Sequence, residues 1–521
     1  MRKPLSSLSA VGVLALASLV ITTGFRALDR EQAPAEATPP QVLYSCQVPY
    51  DVTFTNPDGF GVQRDFDVYS WNTFLALNWP ATTATLGTAP CNLQNGVARD
   101  CNKELPQGDY GPTVWETYKP DWAVFRGSAA GAIAPAGWNC PLDPLPGCDS
   151  VEAMDAAQAR LPVLRMIIKD ANTAQEFLQA GTFAPLIDQN GSFIRYEMRM
   201  NEDEFHTIDA AKLWDSNNQT GDINLQPVGS NATKTIGPME VKAAWKILTP
   251  TDDASRFHTR AVEIAWPNPA RKNKYLCKQY TMGLIGLHIA HKTQRAPQWI
   301  WSTFEQVDNY RGLHPSLADP NCPASKCPPN VTPKKSDGTP WNGDPRFRET
   351  PSVQVVVNES SAAAVRRDAK IVNDEVRQKL AALGSVWQYY ELVSTQWPSA
   401  PYKKDGKPGK VNKKNTLIDQ GVNQFPMILA NSSMETYLMG PEEKRNTSSC
   451  MYCHSLAQIA DPDLDPDPDA DHSSDFSYLL SEAYPASAKP EETAHRRALL
   501  SKMFDRNTAT GGRPTKSIRK Q

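Results

Sequence analysis

Three observations predict an α+β fold, a central and mostly antiparallel sheet with flanking helices and long loops. Residues 239–248 alternate, with Val241, Ala243, Trp245 and Ile247 on one side and Glu240, Lys242 and Lys246 on the other; this is the period-two pattern of a half-buried strand. Similar strand-like runs cluster between residues about 190 and 360, while helical periodicity is confined to either side of them. Finally, 43 prolines and 29 glycines among 521 residues imply much irregular chain, since proline alone is roughly 8% against a usual ~5%.

In chain order, residues 67–77 carry the first helical pattern and residues 173–180 a weaker one. Strands are expected at 193–200, 239–248, 259–266, 275–291, 299–306 and 353–357. A long helix follows at 360–383, with Arg366, Arg367, Lys370 and Arg377 at its polar positions. A C-terminal helical segment completes the expectation.

The composition narrows the function. With 40% hydrophobic residues the chain can bury one large or two moderate cores, so neither a disulfide mini-scaffold nor a wholly disordered chain fits. Its 54 basic and 57 acidic residues give a net charge of -3, without the basic footprint that neutralises phosphates; nucleic acid is not an expected partner.

The N-terminus has Arg2 and Lys3 followed by the apolar stretch 8–21, which reads as an export signal. Its apolar centre is shorter than the ~20 residues of a comfortable spanning helix. No small-x-small cleavage site follows it, so an uncleaved inner-membrane anchor stays open as an alternative. The expected organisation is a signal peptide or membrane anchor at 1–26, a disordered linker at 27–42, an α+β body with disulfide-pinned loops at 43–415, and a further segment at 416–521. The compartment is then periplasmic or otherwise extracytoplasmic.

The chemistry lies in Cys450-Met-Tyr-Cys453-His454, the C-x-x-C-H pattern of c-type haem attachment, which makes the C-terminal helical segment 416–521 the expected haem-binding segment. From the cysteine and histidine frequencies of the chain, chance would supply roughly 0.003 occurrences. Two thiols at this spacing can reach the two vinyl groups on one porphyrin edge, and the next residue offers its imidazole to the iron, making His454 the expected metal ligand. A thioredoxin-like pair would sit near the start of a βαβ unit, and a zinc site would want a second Cys/His pair close by. Neither context is found. On this motif the chain resembles the c-type cytochromes, and its upstream segments resemble exported bacterial monohaem proteins of the cytochrome c family. The resemblance implies one covalent haem c and an exported location; it implies no reaction.

Candidates for the second axial position are His472, His495 and Met503, the last in a helical pattern at 491–504. Met434 and Tyr437 lie on one face of an expected helix leading into the motif and are read first as haem-pocket packing. His288 and His291 form a second cluster: helical, they would share a face; extended, which the flanking sequence favours, they point to opposite faces and act one at a time. Each could be a hydrogen-bonded core histidine or a haem-distal or substrate-binding group. His206 reads as part of an exposed polar turn.

Eight further cysteines suggest the pairs Cys91/Cys101, Cys140/Cys148, Cys322/Cys327 and Cys46/Cys277 in an oxidising compartment, among about 105 pairings. From Asp461 to Asp471 every second residue is aspartate. Such oxygens can suit Ca²⁺, but the turn-making glycine and closing glutamate are missing, so a solvated acidic loop is preferred.

The functional expectation is an exported monohaem c-type cytochrome that transfers electrons, its large body binding a redox partner protein or a small-molecule substrate. The alternatives are a haem oxidoreductase of peroxidase or oxidase type with an open or displaceable distal site, and a haem-stabilised binding module. No nucleophile elbow, Walker loop or zinc helix supports hydrolase or nucleotide chemistry.

Overall fold

The computed structural model describes residues 40–56, 61–81, 112–128, 131–140, 148–152, 164–167, 185–221, 223–267, 275–312, 314–323, 325–326, 329–331, 363–398, 424–439, 449–455, 457–460 and 473–484, with residues 179 and 355. Its strands are β1 (Lys119–Pro120), β2 (Arg126–Ser128), β3 (Gly131–Ile133), β4 (Cys148–Glu152), β5 (Leu164–Ile167), β6 (Arg195–Met200), β7 (Met239–Ile247), β8 (Thr259–Pro267), β9 (Tyr275–His291), β10 (Ile300–Gln306), β11 (Tyr390–Pro398) and β12 (Gln424–Phe425). The helices are α1 (Gln63–Leu77), α2 (Asp121–Val124), α3 (Glu202–Ala210), α4 (Ala363–Ala382) and α5 (Cys450–His454).

Ten of these strands join one sheet in the order β1-β6-β7-β9-β10-β11-β12, and β2 and β3 pair separately. The long β9 is used twice: its second half lies between β7 and β10, and its first half pairs with β8. All pairings along the main path are antiparallel, whereas β4 on β9 and β5 on β8 are parallel. The α+β expectation and its antiparallel sheet hold.

On one face, Val241, Ala243, Leu287, Ile289 and Phe304 form a core with α1 and α4. The Phe304 ring stacks on Phe74 of α1 at 4.1 Å and meets the edge of Trp71 at 5.1 Å. Trp71 donates its indole N–H to Asn373 of α4 at 2.9 Å, so the two helices are joined as well as packed. Deeper in this core Glu116 accepts from Arg260 at 2.5 Å. Burial pushes its carboxyl up, but Arg260 and His258 outweigh that and hold it far below the usual range.

The opposite face was expected to meet solvent, and here the structure departs from the half-buried reading. Glu240 and Lys246 of β7 are buried at 5% and 2% exposure: Ser477 and Glu204 lie against Glu240, Asp252 and Ser316 hold Lys246, and the described residues between 424 and 484 form a second layer over part of that face. Polar side chains make this cover specific. Glu305 of β10 accepts from the Ser432 N–H at 2.5 Å and from the Ser432 hydroxyl at 2.8 Å. Gly286 of β9 allows the close approach, since a Cβ there would lie 2.2 Å from Ser433 Oγ.

Several expected elements differ in detail. The helix expected before the motif is a turn followed by a short 3-10 segment, Thr436–Met439, so the C-terminal layer is mostly irregular among its described residues. His206 sits in α3, exposed and 3.5 Å from Glu202, rather than in a turn; Asn201 caps that helix by accepting from the Glu204 N–H. Strand β11 was not anticipated, because Ser394, Thr395 and Gln396 are buried polar groups rather than an apolar stripe. Of residues 353–357 only Val355 is described, and of 173–180 only Gln179.

Glu305 yields a pH prediction. Burial raises its pKa to about 7, whereas an unfolded glutamate ionises near about 4.3. Below both values the proton is bound in either state. As pH rises between them only the unfolded chain releases it, so stability falls across that window and stays lower above it. Glu305→Gln keeps an acceptor for the Ser432 N–H. We expect it to match the parent near pH 4 and to be roughly 1–3 kcal/mol more stable at pH 8. Urea unfolding at the two pH values checks this; equal midpoints at pH 8 would count against a raised Glu305 pKa.

Candidate functional site

Ser449 starts the motif helix: its hydroxyl accepts from the Tyr452 N–H at 3.1 Å, capping the single turn Cys450–His454. Met451, fully buried, anchors the turn in a core with Trp299, Trp301, Phe476 and Leu480, and the Met451 N–H donates to Gln396 of β11 at 2.8 Å. With Met451 turned inward, Cys450, Cys453 and His454 keep partial exposure. Neither sulfur is in a disulfide.

His454 has one ring nitrogen committed. Nδ1 lies 2.7 Å from the carbonyl oxygen of Phe476, to which it donates in the tautomer that leaves Nε2 as the lone-pair nitrogen. The imidazole is flanked by Trp301, with ring centres 4.3 Å apart, and by the edge of Tyr478 at 5.0 Å. Burial, followed by the Lys242 and His288 charges, drives its pKa down to about 4, so the ring is neutral at pH 7 and can act as a donor ligand.

The carbonyl that holds His454 is itself held by unusual backbone. Asp475 and Phe476 have φ of 56° and 70°, and Trp299 has 69°, a left-handed conformation that non-glycine residues seldom adopt. Such geometry persists only where its surroundings over-determine it. Here Trp299 donates its indole N–H to the Asp475 carbonyl at 2.9 Å, and the Leu225 N–H donates to the Asp475 carboxylate at 2.8 Å. Lys292 forms an ion pair with that carboxylate, both side chains having no exposure, and donates to Asn224 at 2.7 Å. Glu204 and Glu240 are buried nearby. Burial lifts Glu240 to about 7, and burial followed by the neighbouring Glu240 charge lifts Glu204 above its ordinary range.

Facing the motif is a row of directly paired residues across three strands, Lys242 on β7, His288 on β9 and Thr303 on β10. His288 Nδ1 lies 3.3 Å from the Thr303 hydroxyl, and its Nε2 lies 3.4 Å from Glu435, an ion-pair distance without hydrogen-bond geometry. Glu435 also accepts the Asn431 N–H at 2.9 Å. Burial pushes its carboxyl up, but His288 and Lys242 outweigh this and keep it below the usual range. Burial and then Glu435 raise the thiols, Cys453 to about 12 and Cys450 above its ordinary range. Protonated thiols are the opposite of the activated pair a disulfide oxidoreductase needs. Burial is the first cause acting on Lys242, Glu435, Cys450, Cys453 and His454, yet these side chains all keep partial exposure, as does that of His288. They therefore sit at the margin of the packed interior beside the motif.

The other expected site residues lie elsewhere. Strand β9 is extended through both histidines, so His291 points to the helical face. There its Nε2 donates to the Ile236 carbonyl at 2.6 Å and Nδ1 accepts from the Tyr69 hydroxyl, which uses both nitrogens. Met434 and Tyr437 are buried in the adjacent core with Tyr196, Ala244 and Ile285, and Tyr437 donates to the Pro185 carbonyl at 2.6 Å. Met503, His472, His495 and the aspartate-rich stretch 461–471 lie outside the described residues. Cys46, Cys140 and Cys322 are disulfide-bonded; the side chains of Cys91, Cys101, Cys148, Cys277 and Cys327 lie outside the described residues, so the expected pairings do too. Lys242, Thr303, Glu435, Asp475 and Lys292 were not anticipated as site residues. The only sequence signal for the first was its place on the polar side of an alternating strand.

Two thiols and an imidazole with an uncommitted Nε2 on one partly exposed turn, flanked by aromatic rings, fit the donor set of a haem c. Among the described residues, no group of three or more His, Cys, Asp or Glu is placed to hold a metal ion by itself, and no helix is long and apolar enough to cross a membrane. No protein-family model, curated protein or solved structure matches the chain.

Proposed function

We propose that the chain is an exported c-type cytochrome that carries a single haem c, bound through Cys450 and Cys453 with His454 Nε2 as axial ligand, and transfers electrons through it. The observation that carries this reading is the 2.7 Å contact between His454 Nδ1 and the Phe476 carbonyl, which orients the imidazole and leaves Nε2 for a metal. When bound, the haem supplies a one-electron iron couple. The protein's part is to hold it. The two thiols would tether the group, and Trp301 and Tyr478 fix the plane of the His454 ring. The export signal agrees, since covalent attachment in bacteria takes place outside the cytoplasm. A redox partner protein or small-molecule substrate would meet the large body.

A second reading, a haem oxidoreductase with an open distal site, is favoured by the Lys242–His288–Thr303 row, which sets proton-donating groups beside the motif. Optical and EPR spectra of the protein produced with a c-type maturation system separate the two. A low-spin iron indifferent to carbon monoxide is the result expected for electron transfer, and a high-spin iron that binds it would favour the oxidoreductase. Absence of covalent haem would remove both readings.

A further inference from the structure

Behind the Phe476 carbonyl lies a dry set of reactive groups that haem attachment does not require. Lys292, the residue after β9, and Asp475 of the C-terminal layer form an ion pair in which neither side chain has any exposure. Glu204 of α3 is equally buried. Neither of its oxygens has a hydrogen bond of normal geometry among the described residues, and neither does Asp475 Oδ1. Leu225 and Trp299, which both donate to Asp475, belong with Phe205 and Phe476 to one apolar cluster. Burial raises the Asp475 carboxyl and lowers the Lys292 ammonium, each against the charge of the other. Both are driven toward the neutral forms in which an amine attacks a carboxylic acid. Glu204, raised by burial and then by the Glu240 charge, also feels the charges of Asp475 and Lys292.

We propose that Lys292 and Asp475 join as an intramolecular amide, with Glu204 moving the protons, so that an isopeptide bond fastens the C-terminal layer to the end of β9. The ammonium first gives a proton to the carboxylate across the ion pair. Lys292 Nζ then adds to Asp475 Cγ, forming the C–N bond, while Oδ2, which accepts from the Leu225 N–H at 2.8 Å, takes the developing negative charge. Glu204 protonates the Oδ1 hydroxyl as the C–Oδ1 bond breaks, and recovers a proton from the nitrogen as water departs. One ammonium and one carboxylate become one amide and one water, with no change of oxidation state and no co-reactant. Groups already held in contact need no encounter, and a neutral amide is free of the desolvation cost that a buried ion pair bears. Asn224, 2.7 Å from Lys292 Nζ, is the competing acyl group, but it is exposed, where water keeps its amide solvated. The bond needs no haem and stands apart from the function proposed above.

The test is mass mapping of the full chain, purified folded, then denatured, reduced and digested with trypsin. The parent is expected to give a branched peptide joining the segments around Lys292 and Asp475, lighter by the mass of one water than the two linear peptides together. Fragmentation of that peptide places the link. In Glu204→Gln, which keeps the ion pair, the branched peptide should fall by at least about tenfold. In Lys292→Arg, which keeps the cation but lacks the amine, it should vanish. Only linear peptides of full mass from the folded parent would overturn the proposal. So would a link to Asn224, marked by loss of ammonia instead of water. An undiminished link in Glu204→Gln would overturn the part assigned to Glu204. The decisive reading is taken on the parent, so it stands even where a variant fails to fold.

Discussion

Replacing Cys450 and Cys453 together by alanine is expected to abolish covalent haem while leaving the body folded. Both sulfurs are thiols outside any disulfide, and both sit on the partly exposed side of a turn whose hold on the protein comes from other groups. Met451 supplies the apolar anchor, Ser449 the cap, and Gln396 the acceptor for the Met451 N–H. None of these is touched, so the stability change should stay near the ~1 kcal/mol typical of mild substitutions. Each single variant keeps one tether and should retain part of the attached haem. Haem staining on a denaturing gel, with circular dichroism melting of the same preparations, reads both halves of the prediction. Stain persisting in the double variant would show that the attachment lies elsewhere.

Asp475→Ala should be the most destabilising single change near the site, by roughly 3–5 kcal/mol, because it leaves a buried ammonium without its partner. Lys292 and Asp475 have no exposure at all, so water cannot replace the lost carboxylate. The same carboxylate accepts the Leu225 N–H, and that donor would be stranded too. The change also releases the two left-handed residues that aim the Phe476 carbonyl at His454. A second readout follows in the haem-loaded protein, where a loosened imidazole should alter the low-spin EPR signal. Urea unfolding that shows a loss below about 1 kcal/mol would mean the pair contributes little, and an unchanged EPR signal would mean it does not position the ligand.

The positions of β6 to β10 could be read from alternation and apolar runs because antiparallel strands with one apolar face carry that pattern in the chain itself. The motif was legible for a similar reason, its chemistry being local to five residues. What surrounds the motif was not. Lys242 looked solvent-facing because a polar residue on an alternating strand reads the same whether water or a second protein layer covers it. Strand β11 was hidden by that ambiguity, its Ser394, Thr395 and Gln396 being satisfied by partners from α1 and the C-terminal segment. The division of labour between His288 and His291 depended only on the extended backbone. Their different surroundings were set by residues far along the chain, Glu435 for one and Tyr69 for the other.

The C-terminal layer also shapes how the protein can assemble. The strands beneath it are drawn from residues 195–398, and the layer begins at residue 424, so its contacts close long loops and their entropy opposes early docking. A chain caught before that docking would expose Glu240, Lys242, His288, Thr303 and Glu305, a face that water can wet. The apolar side would already be shielded by α1 and α4. The polarity that later lies beside the motif would therefore keep the unfinished sheet from sticking to its neighbours, the common fate of partly folded β proteins.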